Sequence, residues 1–437
     1  MTAAVQGRRV PDPLPVVLAV PLVFVVEVVL GGPFGVYFGV PVRYALFFAS
    51  FALLSLMVVR RAAIHPLMLA PAATLVGFVA VQALWATVVP AVAGTNVKFA
   101  LLEFRPLLLL LLPAFALVVC GTPEALERAV RRMQRAVVGA CLVLAVAQIA
   151  IWVAGSLLPQ LQVLAFIFLG RAFAGAEAFL YVGPMPDGFF RVFWISSFWH
   201  PVAYFWLPTA IPRPLPRLVA RGLIVMAIFV AYSRGIWLGM AAGMLVAAVA
   251  SVARGEWARA LTRRAVTLAV AGAALVPVLA ATGQLDRAVD RLTSTAPRQV
   301  RQGDERVQQI APLVRVWERS PLFGVGYGGY ARDYVRMPET PYSYENTTYA
   351  LLAKLGAVGM GAMLAGFGYW AARAWRARRV APADAPAFLG AFVATLLGST
   401  TNPMLLNFVG MSIMATLLLQ ASRIAVLSES AGAEERA

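Results

Sequence analysis

Polar residues that could do chemistry are concentrated in one stretch, residues 283–345, of an otherwise apolar chain. The stretch carries several arginines, among them Arg301, Arg306 and Arg315, and it ends on Glu345. A guanidinium is a planar fork of donors that matches the oxygens of a phosphate. A glutamate beside such a fork can act as a general base. The stretch therefore predicts a site for an anionic substrate, at which Glu345 deprotonates or orients an acceptor hydroxyl.

Arg234 is a further cation, and it lies between two apolar runs in the sequence Ser233-Arg234-Gly235. A charge at membrane depth is costly, so it is a functional candidate by default. If a helix begins at this break, the free N–H groups of its first turn also favour a phosphate. The alternative is an arginine that extends to the lipid head groups without a specific ligand.

Three candidates of second rank lie earlier in the chain, and they are Arg105, Arg191 and His200. Arg191 is interpreted as a phosphate contact and His200 as an alternative base, although a histidine tolerated in an aromatic belt is the commoner case. Arg105 either pairs with Glu103 or faces the same cavity as the other cations.

Two features of the polar stretch also have plain structural interpretations. Residues 303–317 have the spacing of a short amphipathic helix, in which Arg306 could simply pair with Asp304 or Glu305. Asn346 or Thr347 could cap the next helix, in which case a nearby carboxylate would only complement the helix dipole.

The run from Ser320 to Gly329 has the glycines of a nucleotide-binding loop, but no strand precedes it and no lysine follows it. The same glycines permit a tight turn of small residues. We therefore predict that this run packs the polar stretch against the rest of the protein.

The composition is that of an integral membrane protein of the all-α class. Hydrophobic residues make up 61% of the chain and charged residues only 13%, while the mean hydropathy is +0.78. Apolar runs of about twenty residues recur, and each is long enough to cross a bilayer as a helix. The net charge of +17 does not indicate nucleic-acid binding, because most arginines fall in short loops between these runs. The two cysteines lack metal-site spacing, and we predict neither a metal nor a cofactor.

We predict about twelve transmembrane helices with a large outer loop between the ninth and tenth, an architecture like that of GT-C glycosyltransferases. The predicted divisions are helices 1–9 in residues 1–282, the loop in 283–345, helices 10–12 in 346–422 and a polar cytoplasmic tail in 423–437, of which the part after Leu427 is predicted to be disordered. The spans are placed at 14–31, 41–59, 64–89, 98–119, 136–158, 194–211, 219–232, 235–252, 265–282, 346–371, 385–401 and 404–422. Residues 161–169 are predicted as an interfacial or re-entrant helix at the outer leaflet.

The arginines of the short loops predict the orientation. Basic residues mark every second loop, including 60–61, 128–135, 254–264 and 373–379, and this face should be cytoplasmic together with both termini. The loop 283–345 then lies on the outer, non-cytoplasmic side of the membrane. Because insertion topology does not account for its arginines, they indicate an anionic partner on that side.

Several of these segments together resemble the superfamily of O-antigen ligases and O-antigen polymerases. The resemblance covers about residues 185–365 and rests on the order of its motifs. These are Arg191 before a middle span, Ser233-Arg234-Gly235 between two helices, an arginine well ahead of the run 321–328, and Glu345-Asn346 before the run 349–359.

The resemblance implies that a glycan is transferred from an undecaprenyl diphosphate carrier to an acceptor glycan or to lipid A-core, at the periplasmic face of the bacterial inner membrane. It implies no nucleotide sugar and no metal, and Arg234 and Arg306 match the diphosphate-binding arginines of the family. Glu345 stands where the ligases carry a histidine ahead of asparagine, so polymerase is the first expectation and ligase the second. A chain-length regulator is a further expected partner.

Two other classes of function remain open at this point. A polysaccharide transporter or flippase would also have about twelve spans, although its charges would be expected near the bilayer midplane. The other alternative is a non-catalytic subunit of a glycan assembly complex.

Overall fold

The computed structural model describes residues 18–31, 35, 40–60, 64–158, 180–185, 189–251, 262, 276–277, 279–287, 289, 305–400 and 402–434. Arg301, the predicted interfacial helix at 161–169 and most of the predicted span at 265–282 lie outside these residues.

The described chain is mostly helical, as its composition predicts. Its helices, numbered along the chain, are α1 (Ala19–Leu30), α2 (Val42–Arg60), α3 (Pro66–Leu84), α4 (Val88–Ala93), α5 (Val97–Phe104), α6 (Leu111–Cys120), α7 (Pro123–Leu157), α8 (Trp199–Ala210), α9 (Pro214–Val230), α10 (Arg234–Ser251), α11 (Glu305–Arg319), α12 (Thr347–Arg376), α13 (Asp384–Ser399) and α14 (Phe408–Glu434). Short 3-10 turns lie at Arg105–Leu110, Ile195–Phe198 and Ala377–Arg379.

Seven stretches of the described chain are long and apolar enough to cross a membrane. They are Val42–Arg60, Pro66–Ala93, Val97–Cys120, Pro123–Leu157, Arg234–Ser251, Thr347–Arg379 and Phe408–Ser430. Helices α1 and α13 are shorter apolar helices. The protein is therefore a multi-pass, all-α membrane protein, while the total of twelve spans stays a prediction.

Two helices extend beyond the predicted spans, and arginines in the added turns form ion pairs with one carboxylate. Helix α7 begins at Pro123 instead of 136, and α14 continues to Glu434 through most of the segment for which disorder was predicted. Arg131 donates to both carboxylate oxygens of Asp384 at 3.0 Å, and Arg423 donates to the same carboxylate at 3.1 Å. Asp384 begins α13, so these ion pairs join α7, α13 and α14.

A two-stranded hairpin is the one sheet in the described chain, and the sequence did not predict it. Strand β1 (Leu180–Pro184) pairs antiparallel with β2 (Phe190–Trp194), so that Gly183 lies opposite Arg191. The indole Nε1 of Trp152 on α7 donates to the carbonyl oxygen of Phe190 at 2.8 Å. The hairpin is thus fixed to α7, and it places Arg191 beside the C-terminal end of α9.

Helices α10 and α13 pack along facing rows of small residues. Gly239 and Gly243 lie on one helix, and Gly390, Ala394 and Gly398 lie on the other. A methyl group added at Gly239 would lie 2.4 Å from the carbonyl oxygen of Ala394, and one at Gly243 would lie 2.3 Å from that of Gly390. Small residues at this spacing let two membrane helices approach backbone to backbone. The contact fixes the N-terminus of α10 against the C-terminal end of α13.

The glycine-rich run attaches to the membrane domain at a break in α12. Gly356 has φ +60° and ψ −172°, which interrupts the helix and releases backbone groups on both sides. The N–H groups of Val325 and Gly326 donate to the carbonyl oxygens of Ala353 and Lys354 at 3.1 and 2.8 Å. The N–H of Ala357 donates to the carbonyl oxygen of Pro321 at 2.9 Å. The prediction that this run packs the outer segment against the rest of the protein is confirmed.

Replacing Gly356 with alanine should loosen this attachment. The added methyl would lie 2.4 Å from the carbonyl oxygen of Leu322, and a backbone conformation that only glycine adopts readily adds a cost of about 1–3 kcal/mol. We expect a lower melting temperature in detergent and faster tryptic cleavage within residues 305–346. Gly361→Ala is the matched control, since a methyl group there meets nothing within 4 Å. Equal behaviour of the two variants would contradict the attachment.

Candidate functional site

A cavity of about 200 Å³ lies where the outer segment meets the helices. Its walls come from α2, α5, α12 and the start of α14, together with residues 337–344 of the outer segment. Three cationic side chains line it, and they are Arg43, Arg105 and Lys354. Glu103 is the acidic side chain among its lining residues. The cavity therefore combines positive charge with a polar wall, which suits an anionic substrate.

Arg105 is the cation of this cavity that no described carboxylate neutralises. It is half-buried, and its Nη2 donates to the Tyr44 hydroxyl at 3.0 Å. The guanidinium carbon lies 5.0 Å and 5.2 Å from the ring centroids of Tyr44 and Phe408. Among the described residues, its buried Nε has no hydrogen-bond partner. Aromatic rings hold the guanidinium in place without cancelling its charge, which leaves donors for a phosphate.

The other two cations of the cavity are held in buried ion pairs. Arg43 donates to both carboxylate oxygens of Glu27, at 2.8 and 3.0 Å. Lys354 bonds to Glu103 and donates to the carbonyl oxygen of Tyr342 at 2.7 Å. The sequence leaves open whether Arg105 pairs with Glu103 or faces the cavity. In the structure Glu103 pairs with Lys354, and Arg105 faces the cavity.

Five side chains with hydroxyl groups form part of the remaining wall, among apolar residues. Thr340, Tyr342, Ser343, Tyr344 and Thr347 line the cavity. Burial raises the pKa of Tyr344 to about 12, and burial with nearby Glu103 raises the pKa of Tyr342. Both phenols are therefore neutral donors throughout the physiological pH range. Neutral hydroxyls at this density are suited to the hydroxyl groups of a sugar.

Glu345 lies between two guanidinium groups. Arg306 of α11 donates from Nε to Oε2 at 2.8 Å, and Arg336 donates from Nη2 to Oε1 at 2.6 Å. The expected short helix is confirmed as Glu305–Arg319. The carboxylate that Arg306 bonds is that of Glu345, 39 residues further along the chain. The two arginines and Glu345 form a cluster that we call the arginine–glutamate cluster.

The arginine–glutamate cluster adjoins the cavity through its neighbours in sequence. Tyr344 precedes Glu345 directly and Thr347 follows it by two positions, and both line the cavity. Met337, which follows Arg336, also lines it. Asn346 occupies the N-cap position of α12, yet its side chain makes no capping bond, and its backbone N–H donates to Gln309 at 3.0 Å. The capping interpretation of the Asn346 side chain is therefore wrong.

Arg234 begins α10, as the break in the sequence predicted, and its side chain is exposed. The carbonyl oxygen of Gly235 lies 3.6 Å from the position of a methyl group on Gly398, near the end of α13. Shortly after α13 ends, the backbone carbonyl oxygen of Asn402 accepts a hydrogen bond from the Thr347 hydroxyl at 2.6 Å. The next residue, Pro403, lines the cavity. Arg234 thus lies at the same end of the bundle as the cavity, although it does not line it.

Arg191 lies beside the same break. Its Nε donates at 2.8 Å to the carbonyl oxygen of Ala231, three residues before Arg234, and its guanidinium carbon is 4.4 Å from the Phe193 ring centroid. It therefore satisfies a carbonyl at the end of α9 and holds the hairpin to the start of α10.

His200 and Arg315 lie away from the cavity walls. His200 is fully buried, and its Nε2 is 2.6 Å from Oε1 of Gln148, in a polar group that includes Ser197. Arg315 is exposed and bonds to Asp333, whose pKa this hydrogen bond holds below its usual range. The structure thus gives both side chains partners of their own.

Sequence reasoning missed three cationic side chains of this region, which are Arg43, Lys354 and Arg336. Arg43 and Lys354 lie in helical runs without an acidic residue at helical spacing, whereas Arg336 lies in a loop with Asp333 and Glu339 three positions away on either side. For Arg43 and Lys354 the available signal was a lone charge in an apolar run, since such a residue needs a partner or a ligand. Which acidic residue pairs with each of these cations depends on how the helices and loops pack.

These features define a multi-pass membrane protein with a cation-lined, hydroxyl-rich cavity under a loop at one end of its helices. A family model described as O-Antigen ligase matches residues 220–364, which include Arg234, Arg306, the glycine run and Glu345. The match confirms the resemblance to the superfamily of O-antigen ligases and polymerases, which are glycosyltransferase-like enzymes of lipid-linked glycan assembly. No curated protein matches the chain.

Proposed function

We propose that this protein transfers a glycan from undecaprenyl diphosphate to an acceptor sugar at the periplasmic face of the bacterial inner membrane. The observation that carries the proposal is the unneutralised guanidinium of Arg105 in a hydroxyl-lined cavity, next to the arginine–glutamate cluster. The family match to residues 220–364 supports a substrate that is a lipid-linked glycan. Polymerisation of a surface polysaccharide is the first choice, and ligation to lipid A-core is the second.

In this mechanism the protein's own cations neutralise the leaving group. The acceptor hydroxyl attacks the anomeric carbon from the face opposite the diphosphate, so that the carbon–oxygen bond to the diphosphate breaks with inversion. Negative charge grows on the departing undecaprenyl diphosphate, and Arg105, Arg306 and Arg234 stabilise it, with Arg191 as a further contact. Cations that are positioned before reaction gain the most when that charge develops. The acceptor proton passes to a base, and no metal is required.

Glu345 has two candidate roles. As the base, it would take the acceptor proton once a substrate phosphate has displaced it from one arginine. As a positioning residue, it would hold Arg306 and Arg336 together until the diphosphate takes its place between them. The direct bonds to both arginines support positioning. The two roles differ in kinetics: loss of a base lowers kcat, while loss of positioning raises the KM for the donor.

The experiment incubates purified protein in lipid with a lipid-linked repeat unit, with and without lipid A-core. For Arg234→Ala and Arg306→Ala we expect about a 10²-fold loss of product, because each removes positive charge that stabilises the departing diphosphate. For Glu345→Gln we also expect a loss, because the carboxylate that takes the proton or positions the two arginines is gone. Arg315→Ala is the matched control for Arg306→Ala, since both lie on α11, and it should retain activity because Arg315 bonds to Asp333.

Each outcome of this assay selects one function. Elongation of the repeat unit alone indicates a polymerase, and product only with added core indicates a ligase. Movement of the intact lipid-linked glycan across the bilayer without transfer would overturn the proposal in favour of a flippase. Co-purification with a chain-length regulator would identify the further expected partner.

A further inference from the structure

A second depression, distinct from the cavity, lies on the other side of the glycine-rich turn. It is a groove of about 880 Å³ between the end of the Pro66–Ala93 span and the outer segment. Its lining includes Leu84, Val88 and Val92 from the span, and Arg319 and Arg332 from the outer segment. We call it the lateral groove. The lateral groove is larger than the cavity. Apolar side chains of the span line one side of it, and arginines of the outer segment line the other.

The apolar side of the lateral groove continues the membrane-facing surface of its span. Leu84, Val88 and Val92 are spaced four residues apart, and they are 49%, 54% and 86% exposed. Leu69 and Val76, earlier in the same span, are also exposed. Aliphatic side chains left uncovered along a membrane helix face lipid tails. The exposed aliphatic surface of this span is therefore continuous with the apolar side of the groove.

The polar side of the lateral groove is cationic. Arg319 and Arg332 are both exposed, and none of the described residues that line the groove is acidic. The neighbouring carboxylate of Asp333 is bonded by Arg315. Arg315 chiefly, and Arg319 to a smaller extent, lower the pKa of Asp333. Its charge is thus largely balanced by Arg315, and the two groove arginines keep donors for another anion.

We propose that the lateral groove binds an anionic phospholipid of the surrounding leaflet. The headgroup phosphate lies at Arg319 and Arg332, and an acyl chain lies along Leu84, Val88 and Val92. This arrangement pairs a lipid phosphate with guanidinium donors and covers the exposed aliphatic side chains at the same time. A soluble anion would leave the aliphatic side uncovered, and a zwitterionic lipid would balance the arginines less well. The bound lipid would also brace the segment 319–330 that attaches to the break in α12.

The test is native mass spectrometry of the delipidated protein titrated with dioleoyl phosphatidylglycerol, dioleoyl phosphatidylcholine or inorganic phosphate. We expect phosphatidylglycerol to bind about 10- to 30-fold more tightly than phosphatidylcholine, since each arginine near a lipid phosphate adds affinity. The double variant Arg319→Ala/Arg332→Ala should reduce this preference to less than about twofold. Val92→Asp should weaken phosphatidylglycerol binding without unfolding, because Val92 is exposed.

The matched control is Arg213→Ala/Arg379→Ala, which removes the same charge from two exposed arginines outside the groove. It should bind phosphatidylglycerol like the unmodified protein. Equal binding of the two lipids, full retention of preference in Arg319→Ala/Arg332→Ala, or binding of inorganic phosphate as tightly as the lipid would each overturn the proposal. Competition by a lipid-linked glycan for the same residues would also overturn it, and would instead make the groove a substrate site.

Discussion

Replacing Arg105 with alanine is expected to reduce glycan transfer by about 10²–10³-fold, the largest single effect in this protein. The guanidinium faces the cavity, is stacked against Tyr44 and Phe408, and is bonded to no described carboxylate. Its full charge is therefore available to the diphosphate as the glycosidic bond breaks. The measurement is single-turnover transfer from a lipid-linked donor, with protein stability followed in parallel by thermal unfolding in detergent.

Three further variants separate the charge of Arg105 from its geometry. Arg105→Lys keeps the charge but loses the planar fork, and it should retain only part of the activity. Tyr44→Phe removes the hydroxyl that Nη2 contacts but keeps the ring, so its effect should be small. Lys98→Ala is the matched control, since it removes one charge from the same segment of chain at an exposed position outside the cavity. Equal activity of Arg105→Ala and Lys98→Ala would contradict the assignment of Arg105.

Removing either partner of the Glu103–Lys354 pair should destabilise the protein by about 3–5 kcal/mol, because each change leaves a buried charge without its counter-ion. The side chains are 7% and 2% exposed. The pair also joins three parts of the molecule. Glu103 of α5 accepts from the N–H of Gly328 at 2.7 Å, and Lys354 of α12 donates to Tyr342. We therefore expect Glu103→Ala and Lys354→Met each to lower the unfolding free energy and to loosen the outer segment.

The double variant Glu103→Ala/Lys354→Met tests whether the loss belongs to the pair. It should be more stable than the sum of the single changes, by up to about 3 kcal/mol, because neither charge is then left alone. Some loss should remain, since the N–H of Gly328 has lost its acceptor. The free energy of unfolding in mixed micelles is measured for the unmodified protein, the two single variants and the double variant. Additive single effects would show that the two side chains do not stabilise each other.

The sequence by itself determined the class of the protein and its local features. Long apolar runs can satisfy their backbone in lipid only as helices, so the all-α membrane architecture follows directly. The break before Arg234, the amphipathic helix that carries Arg306 and the tight glycine turn are local as well. Each depends on residues within a few positions of one another, which is the range over which periodicity and glycine conformation act.

Only the tertiary structure decided which charges are paired and which face the cavity. Arg306 meets Glu345 across 39 residues, and Lys354 meets Glu103 across 251. The second pairing lies beside the break at Gly356, where the glycine-rich turn attaches the outer segment to α12. The same packing leaves Arg105 unneutralised by any described carboxylate, although Glu103 is only two positions away in sequence. Spacing along a chain gives the direction of a side chain on its own helix, but the nearest opposite charge is determined by how helices and loops pack.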